Sequence, residues 1–145
     1  MCMIVDADRL GRFLANPVHE DVVPIREWLD RREGRIVYST GGKFAREIGR
    51  RLRDKLANYV RAGKATYVPP SRFVDDESAL GPLISSNDPH VIALARATGV
   101  RLLYTGDGNL TRDFKDKRCI DRPRGKVYSR ATNSDLLTSS VCPRP

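Results

Sequence analysis

The chain is 145 residues long, which is room for one domain around one sizeable core. Hydrophobic residues make up 40% and charged residues 30%, a globular composition that excludes a disordered chain. The formal net charge is +8, which fits a polyanion or an acidic protein as partner.

Residues 1–5 are a short apolar run closed by Asp6 and read as a strand. Leu10, Phe13 and Leu14 then stand at helical spacing over residues 9–14. Val22, Val23, Ile25, Trp28 and Leu29 predict a second helix over 20–32, ended by Gly34. Residues 35–39 read as a second strand, broken by Gly41-Gly42. The longest helical pattern covers 43–62: Phe44, Ile48, Leu52, Leu56 and Tyr59/Val60 form one stripe, with Arg46, Arg50, Arg53 and Arg61 off it. A third strand is expected over 65–68, closed by Pro69-Pro70, and a short helix over 75–80, stopped by Gly81-Pro82.

Asn87-Asp88-Pro89 is a strong helix start, with a capping side chain followed by proline in the first turn. The helix over 89–98 buries Val91, Ile92, Leu94 and Ala95, and Gly99 ends it. Residues 100–105 read as a fourth strand running into Gly106-Asp107-Gly108. A short helix over 110–116 and a fifth strand over 126–129 follow, with residues 131–145 as a loosely held tail. This alternation predicts one α/β domain over residues 1–145 with a parallel sheet.

The apolar runs are too short to span a bilayer, and the N-terminus lacks the basic region and long apolar stretch of a secretory signal. Cys2, Cys119 and Cys142 are odd in number, scattered, and without metal-site spacing. Read as unpaired thiols, they fit a reducing compartment, so the cytoplasm is the expected location. His19 and His90 stand alone and are read as surface or helix-cap residues.

Two acids occupy the same kind of place: Asp6 directly follows the first strand, and Asp107 follows the fourth after Gly106. In an open parallel sheet, ligands collect beyond the carboxyl ends of the strands, where strand order reverses. Asp88, opening the preceding helix, and Asp113, on the following one, can approach the same crevice. Clustered carboxylates repel and raise one another's pKa unless a cation sits between them. Mg²⁺ or Mn²⁺ is the natural candidate, since hard divalent ions take oxygen ligands and act on phosphodiesters. Asp6 closes an apolar strand and is not a default surface position. The other acids also have plainer readings: Asp88 as a helix cap, Asp107 as a turn residue, Asp113 as a solvated acid, and Asp8 as the cap of the first helix.

The segment MIVDADRLGRFL resembles the opening of a PIN domain, the fold of VapC-type toxin ribonucleases. SNDPHVIALARATGVRLLYTGDGNLTRDF is similar to the second half of that family's site. The resemblance covers residues 1–14 and 85–116 and implies a three-layer α/β/α sandwich with a central parallel sheet. It implies a divalent-metal-dependent ribonuclease with Asp6, Asp88 and Asp107 on the metal and Asp113 just beyond. It further implies RNA as substrate, frequent homodimers, and often a small antitoxin protein that blocks the site. The family usually has a glutamate on the helix after its second strand. Glu47 is the best-placed candidate, though it could equally pair with Arg51 one turn on.

Thr105 can hydrogen-bond a site carboxylate or the substrate. Arg46 and Arg50 are either a solvated face or a track for the RNA backbone. Two other readings stay open. Asp6-Ala7-Asp8, Ser39-Thr40 and Gly106-Asp107 also resemble the haloacid-dehalogenase-type phosphatases, with Asp6 as nucleophile, Asp8 as general acid and Lys64 as a weak lysine candidate. A non-catalytic PIN-like module that binds RNA or protein is the other.

Overall fold

Cys2-Met3-Ile4-Val5 form strand β1 (Cys2–Val5), and all four are buried. A strand with no exposed face needs cover on both sides, which a parallel sheet with helical crossovers supplies. The computed structural model describes residues 1–39, 46, 48–139 and 142. Within them lie β2 (Arg35–Tyr38), β3 (Ala65–Tyr67), β4 (Leu102–Tyr104) and β5 (Lys126–Tyr128). The five strands make one all-parallel sheet in the order β3-β2-β1-β4-β5. Helices flank it, giving a three-layer α/β/α sandwich. Strand order reverses between β1 and β4, so the carboxyl ends of those two strands frame the crevice of the fold.

The helices used below are α1 (Ala7–Phe13), α2 (Val23–Asp30), α3 (Arg50–Arg61), α4 (Val74–Leu80), α5 (Pro89–Thr98) and α6 (Gly108–Lys115). α5 has the expected bounds. Pro89 opens it, and Gly99 closes it in the left-handed conformation at φ 75°. It buries His90, Val91, Ile92, Ala93, Leu94, Ala95 and Thr98, so it is a core helix and not an amphipathic surface one. His90 is therefore an interior residue, contrary to its reading as a surface or cap histidine.

The helix expected over 43–62 is interrupted among the described residues: Arg46 is helical, and the helix resumes at Arg50. Gly49 is the N-cap of α3, and Ile48 is a buried residue in a bend before it. The apolar stripe nonetheless holds at Leu56, which is fully buried, while Val60 is 38% exposed. Phe44, Gly41-Gly42, Thr40 and Glu47 lie outside the described residues.

Gly34 does not end α2, whose C-cap is Arg31, with Arg32 at φ 59° just beyond. Its role is steric. A Cβ there would overlap the indole of the fully buried Trp28. Gly34→Ala is expected to destabilise the fold by about 1–3 kcal/mol through overpacking. A lower urea midpoint with a disturbed Trp28 fluorescence checks this.

The C-terminal residues are not loose where they are described. Residues Ala131–Leu136 form 3₁₀ turns, and Trp28 Nε1 donates to the Thr138 carbonyl at 2.9 Å. Cys142 forms a disulfide with Cys2, the two Cα atoms 5.1 Å apart. Sequence separation hid this pair: its members stand 140 positions apart, and spacing alone carries no sign of contact across that distance. The expectation of three unpaired thiols is corrected to one free cysteine among the described residues, the buried Cys119. No helix among the described residues is long and apolar enough to cross a membrane.

Candidate active site

Register places the site. Val5 pairs with Tyr104, and the Asp6 N–H extends that ladder by donating to the Tyr104 carbonyl at 2.9 Å. Asp6 and Thr105 thus become neighbours at the carboxyl ends of β1 and β4, although 99 residues separate them in sequence. The Thr105 hydroxyl donates to Asp6 Oδ2 at 2.7 Å. The same hydroxyl oxygen accepts the Asp107 backbone N–H at 3.0 Å. Asp107 in turn caps α6, its Oδ1 accepting from the N–H groups of Asn109 at 2.8 Å and Leu110 at 3.2 Å. One threonine therefore ties the acid ending β1 to the acid opening α6.

Asp88 is the N-cap residue of α5, but its carboxylate makes no capping bond to that helix. It is 9% exposed, and its N–H donates to the Ser86 hydroxyl at 3.4 Å. Asp6, Ala7, Asp8, Asp88 and Asp107 line one cleft of ≈ 350 Å³. Asp8 is the acid that the spacing argument undervalued. Asp6 is the N-cap of α1, so Asp8 falls in the first turn at the rim of the cleft and does not cap the helix.

The cleft's electrostatics follow from its lining. Asp6 is pushed up to about 7, first by burial and then by the charges of Asp8 and Asp88, with the Thr105 hydroxyl acting in the opposite direction. Among the described lining residues there is no basic side chain to offset four carboxylates. Nor are three His, Cys, Asp or Glu side chains among the described residues already gathered closely enough to enclose an ion. The donor set still fits a hard divalent cation. Mg²⁺ is commonly held by one or two carboxylates and keeps several waters, so it does not require a closed protein cage. Behind burial, the charges of Asp8 and Asp88 add to the raised Asp6 carboxyl, and a cation between them would offset that repulsion.

Asp113 is placed elsewhere. It is buried and does not line the cleft; its two oxygens accept from Ser85 and Ser86. The Ser85 N–H lies 3.0 Å from Oδ1, the Ser85 hydroxyl 2.9 Å from Oδ1, and the Ser86 N–H 2.8 Å from Oδ2. Burial works to raise this carboxyl, but the donors from Ser85 and Ser86 prevail and hold it below its usual value. Asp113 thus fastens the turn that leads into Asp88. Arg46 and Arg50 are exposed and line neither this cleft nor the groove beside it. Thr105, buried at 1%, spends its hydroxyl on Asp6 and Asp107 and so orients them. Glu47 lies outside the described residues.

Sequence reasoning named Ser39 only within the phosphatase resemblance and did not set it beside Asp6. Ile4 pairs with Val37, so two residues on, Ser39 stands level with Asp6 on the neighbouring strand. Its hydroxyl is buried and has no hydrogen-bond partner among the described residues. A polar residue closing β2 as Asp6 closes β1 was the available signal. Comparison of the chain with protein-family models, with curated proteins and with solved structures gave no match.

Proposed function

We propose that the chain is a divalent-metal-dependent ribonuclease of the PIN type, hydrolysing RNA phosphodiester bonds. The observation that carries this reading is the gathering of Asp6, Asp8, Asp88 and Asp107 on one cleft at the switch point of the sheet. In a chain with a net charge of +8, that local reversal of sign calls for a cation between the carboxylates and a polyanion around them. Asp6, Asp88 and Asp107 would hold Mg²⁺ or Mn²⁺. Such an ion supplies Lewis-acid charge beside a phosphodiester and lowers the pKa of water.

The protein's own part is positioning. Thr105 holds Asp6, the first turn of α6 holds Asp107, and Asp113 holds the turn before Asp88. Asp8, exposed at the rim, adds its charge to the cleft. Within this reading the chain acts in the cytoplasm, as the toxin of a toxin–antitoxin pair, on RNA. A small antitoxin protein and a second copy of the chain are the partners that the PIN resemblance supplies. The Cys2–Cys142 disulfide is the feature that pulls against a reducing compartment.

A second reading has one observation behind it: Asp6 and Asp8 share the cleft, as the nucleophile and general acid of a phosphatase would. One experiment separates the two. A mixed, structured RNA pool is incubated with the protein in Mg²⁺ or Mn²⁺ and in EDTA, and a generic phosphate monoester is run in parallel. The ribonuclease reading expects RNA cutting that needs metal and disappears in folded Asp107→Asn. It expects Asp8→Asn to retain part of the activity. Monoester turnover without RNA cutting, abolished by Asp8→Asn, would establish the phosphatase. Neither activity from folded protein would leave a non-catalytic binding module.

A further inference from the structure

Asp8 and Arg9 are consecutive in the first turn of α1, and the helix turns their side chains about 100° apart. Asp8 faces the carboxylate cleft. Arg9 lines a second depression of ≈ 490 Å³, together with Arg12 and Arg130. The segment 105–108 is a wall of both: Asp107 belongs to the acidic cleft, while Thr105, Gly106 and Gly108 belong to the groove. An acidic cleft and a groove carrying three guanidinium groups therefore lie on either side of one short stretch of chain.

The arginines are not equivalent. Arg12 is already neutralised by Asp21, Nη1 to Oδ2 at 2.9 Å. Arg9 is not: its Nε is buried and has no hydrogen-bond partner among the described residues. Its guanidinium lies across Gly106, so closely that a Cβ at that position would overlap it. The glycine permits the approach, and the approach fixes the guanidinium beside the wall. Arg130 is exposed in the same groove. With Asp21 occupied by Arg12, the exposed Glu20 is the one remaining acid among the described residues lining the groove to oppose Arg9 and Arg130.

We propose that Arg9 and Arg130 hold the backbone phosphate next to the one that is hydrolysed, so that the RNA strand crosses the 105–108 wall from groove to cleft. The identity of the strand rests on the ribonuclease reading; the groove itself does not. A guanidinium fork matches two phosphate oxygens, and Arg9 and Arg130 both line the groove in which a backbone phosphate would lie. Recognition is of the backbone alone and carries no base preference. The basic face of α3, with Arg46 and Arg50 nearby, is then a solvated face.

The test is binding of fluorescein-labelled single-stranded RNA to the full chain in EDTA, followed over a salt titration. Losing the grip on that one phosphate should lower the slope of log K against log salt by about 0.7, which weakens binding roughly 5-fold at 0.1 M salt. That is the expected result for Arg9→Gln with Arg130→Gln. Arg46→Gln with Arg50→Gln removes the same charge and should change the slope by far less. Arg130→Gln alone, at an exposed position, should give about half the slope change, and it keeps the test valid where the double variant fails to fold.

Equal weakening in the two double variants, an unchanged slope, or no RNA binding by the wild type each overturns the proposal. The two readings fail separately. A chain that binds RNA through Arg9 and Arg130 but cuts none in Mg²⁺ keeps the groove and removes the ribonuclease. A chain that cuts RNA with KM unmoved by the double variant does the reverse.

Discussion

Asp6→Asn should abolish RNA cleavage and at the same time make the metal-free protein more stable. Burial and the neighbouring charges of Asp8 and Asp88 raise the Asp6 carboxyl from 3.8 to about 7 in the folded chain. An acid whose folded pKa is raised binds its proton more tightly folded than unfolded. Below about pH 4 both states are protonated, and Asp6 adds no pH dependence. Between about pH 4 and 7 the unfolded chain releases the proton first, so stability falls as pH rises. Above 7 the full penalty remains, on the order of 2–4 kcal/mol.

Asparagine carries no charge, and its carboxamide oxygen can still accept the Thr105 hydroxyl. In EDTA at pH 8 the variant is expected to unfold at higher urea than the wild type, with the difference closing towards pH 4. Millimolar Mg²⁺ should then stabilise the wild type and not the variant, since binding to the native state alone adds RT ln(1 + [L]/Kd). A variant that is less stable than the wild type at pH 8, with the same pH profile, would mean that Asp6 is not the strained acid. Loss of cleavage by a misfolded variant is excluded by the same denaturation curves.

Asp113→Ala carries the second large effect, and it acts through position. The substitution strips the acceptors from the Ser85 and Ser86 N–H groups and from the Ser85 hydroxyl. Ser86 is buried, so its N–H cannot turn to water without cost. Losing charge-assisted bonds and stranding a buried donor should cost about 2–4 kcal/mol. Asp88 follows Ser86 by two residues, and its N–H leans on the Ser86 hydroxyl. A displacement there of the order of 1 Å can lower turnover about 100-fold. Asp113→Asn keeps one carbonyl oxygen as acceptor and should recover part of both losses. A carboxylate acting directly on metal or substrate would not be rescued in this way. The two variants, compared by urea midpoint and by kcat for RNA, therefore distinguish a clasp from a catalytic acid. The lowered pKa of Asp113 adds a pH signature of opposite sign to that of Asp6. Its stabilisation is present above the unfolded value and is lost only as pH falls below the ordinary carboxylate range.

These contrasts indicate what the sequence could carry. Strands were legible because a parallel sheet buries both strand faces, so Met3-Ile4-Val5 and Leu102-Leu103-Tyr104 stand out as continuous apolar runs. The bounds of α5 were legible because proline and glycine act locally at its two ends. Asp6 and Asp107 were placed correctly at strand ends, since that argument needs only the strand and the residue after it. What stayed hidden depends on contacts between distant segments. Nothing near Asp113 announces that its partners are Ser85 and Ser86, and nothing near Cys2 announces Cys142. Arg9 looked like one charge among many, because its distinction lies in Gly106 passing under its guanidinium. Gly34 was misread for the same kind of reason: a glycine after a helix suggests a terminator, while the constraint here comes from the ring of Trp28.

The disulfide between Cys2 and Cys142 also has a practical side. β1 runs from Cys2 at one end to Val5 at the other, with Asp6 next, so the bond gathers both ends of the described chain about 13 Å of strand away from the cleft. The Met1 amino group adds to this by donating to the Glu33 carbonyl at 3.1 Å on that same side. An affinity handle, a fluorophore or a surface tether attached at Met1 leaves from the pole opposite the carboxylates. Molecules anchored to a sensor chip through Met1 would present the cleft and its neighbouring groove outward to the flowing RNA.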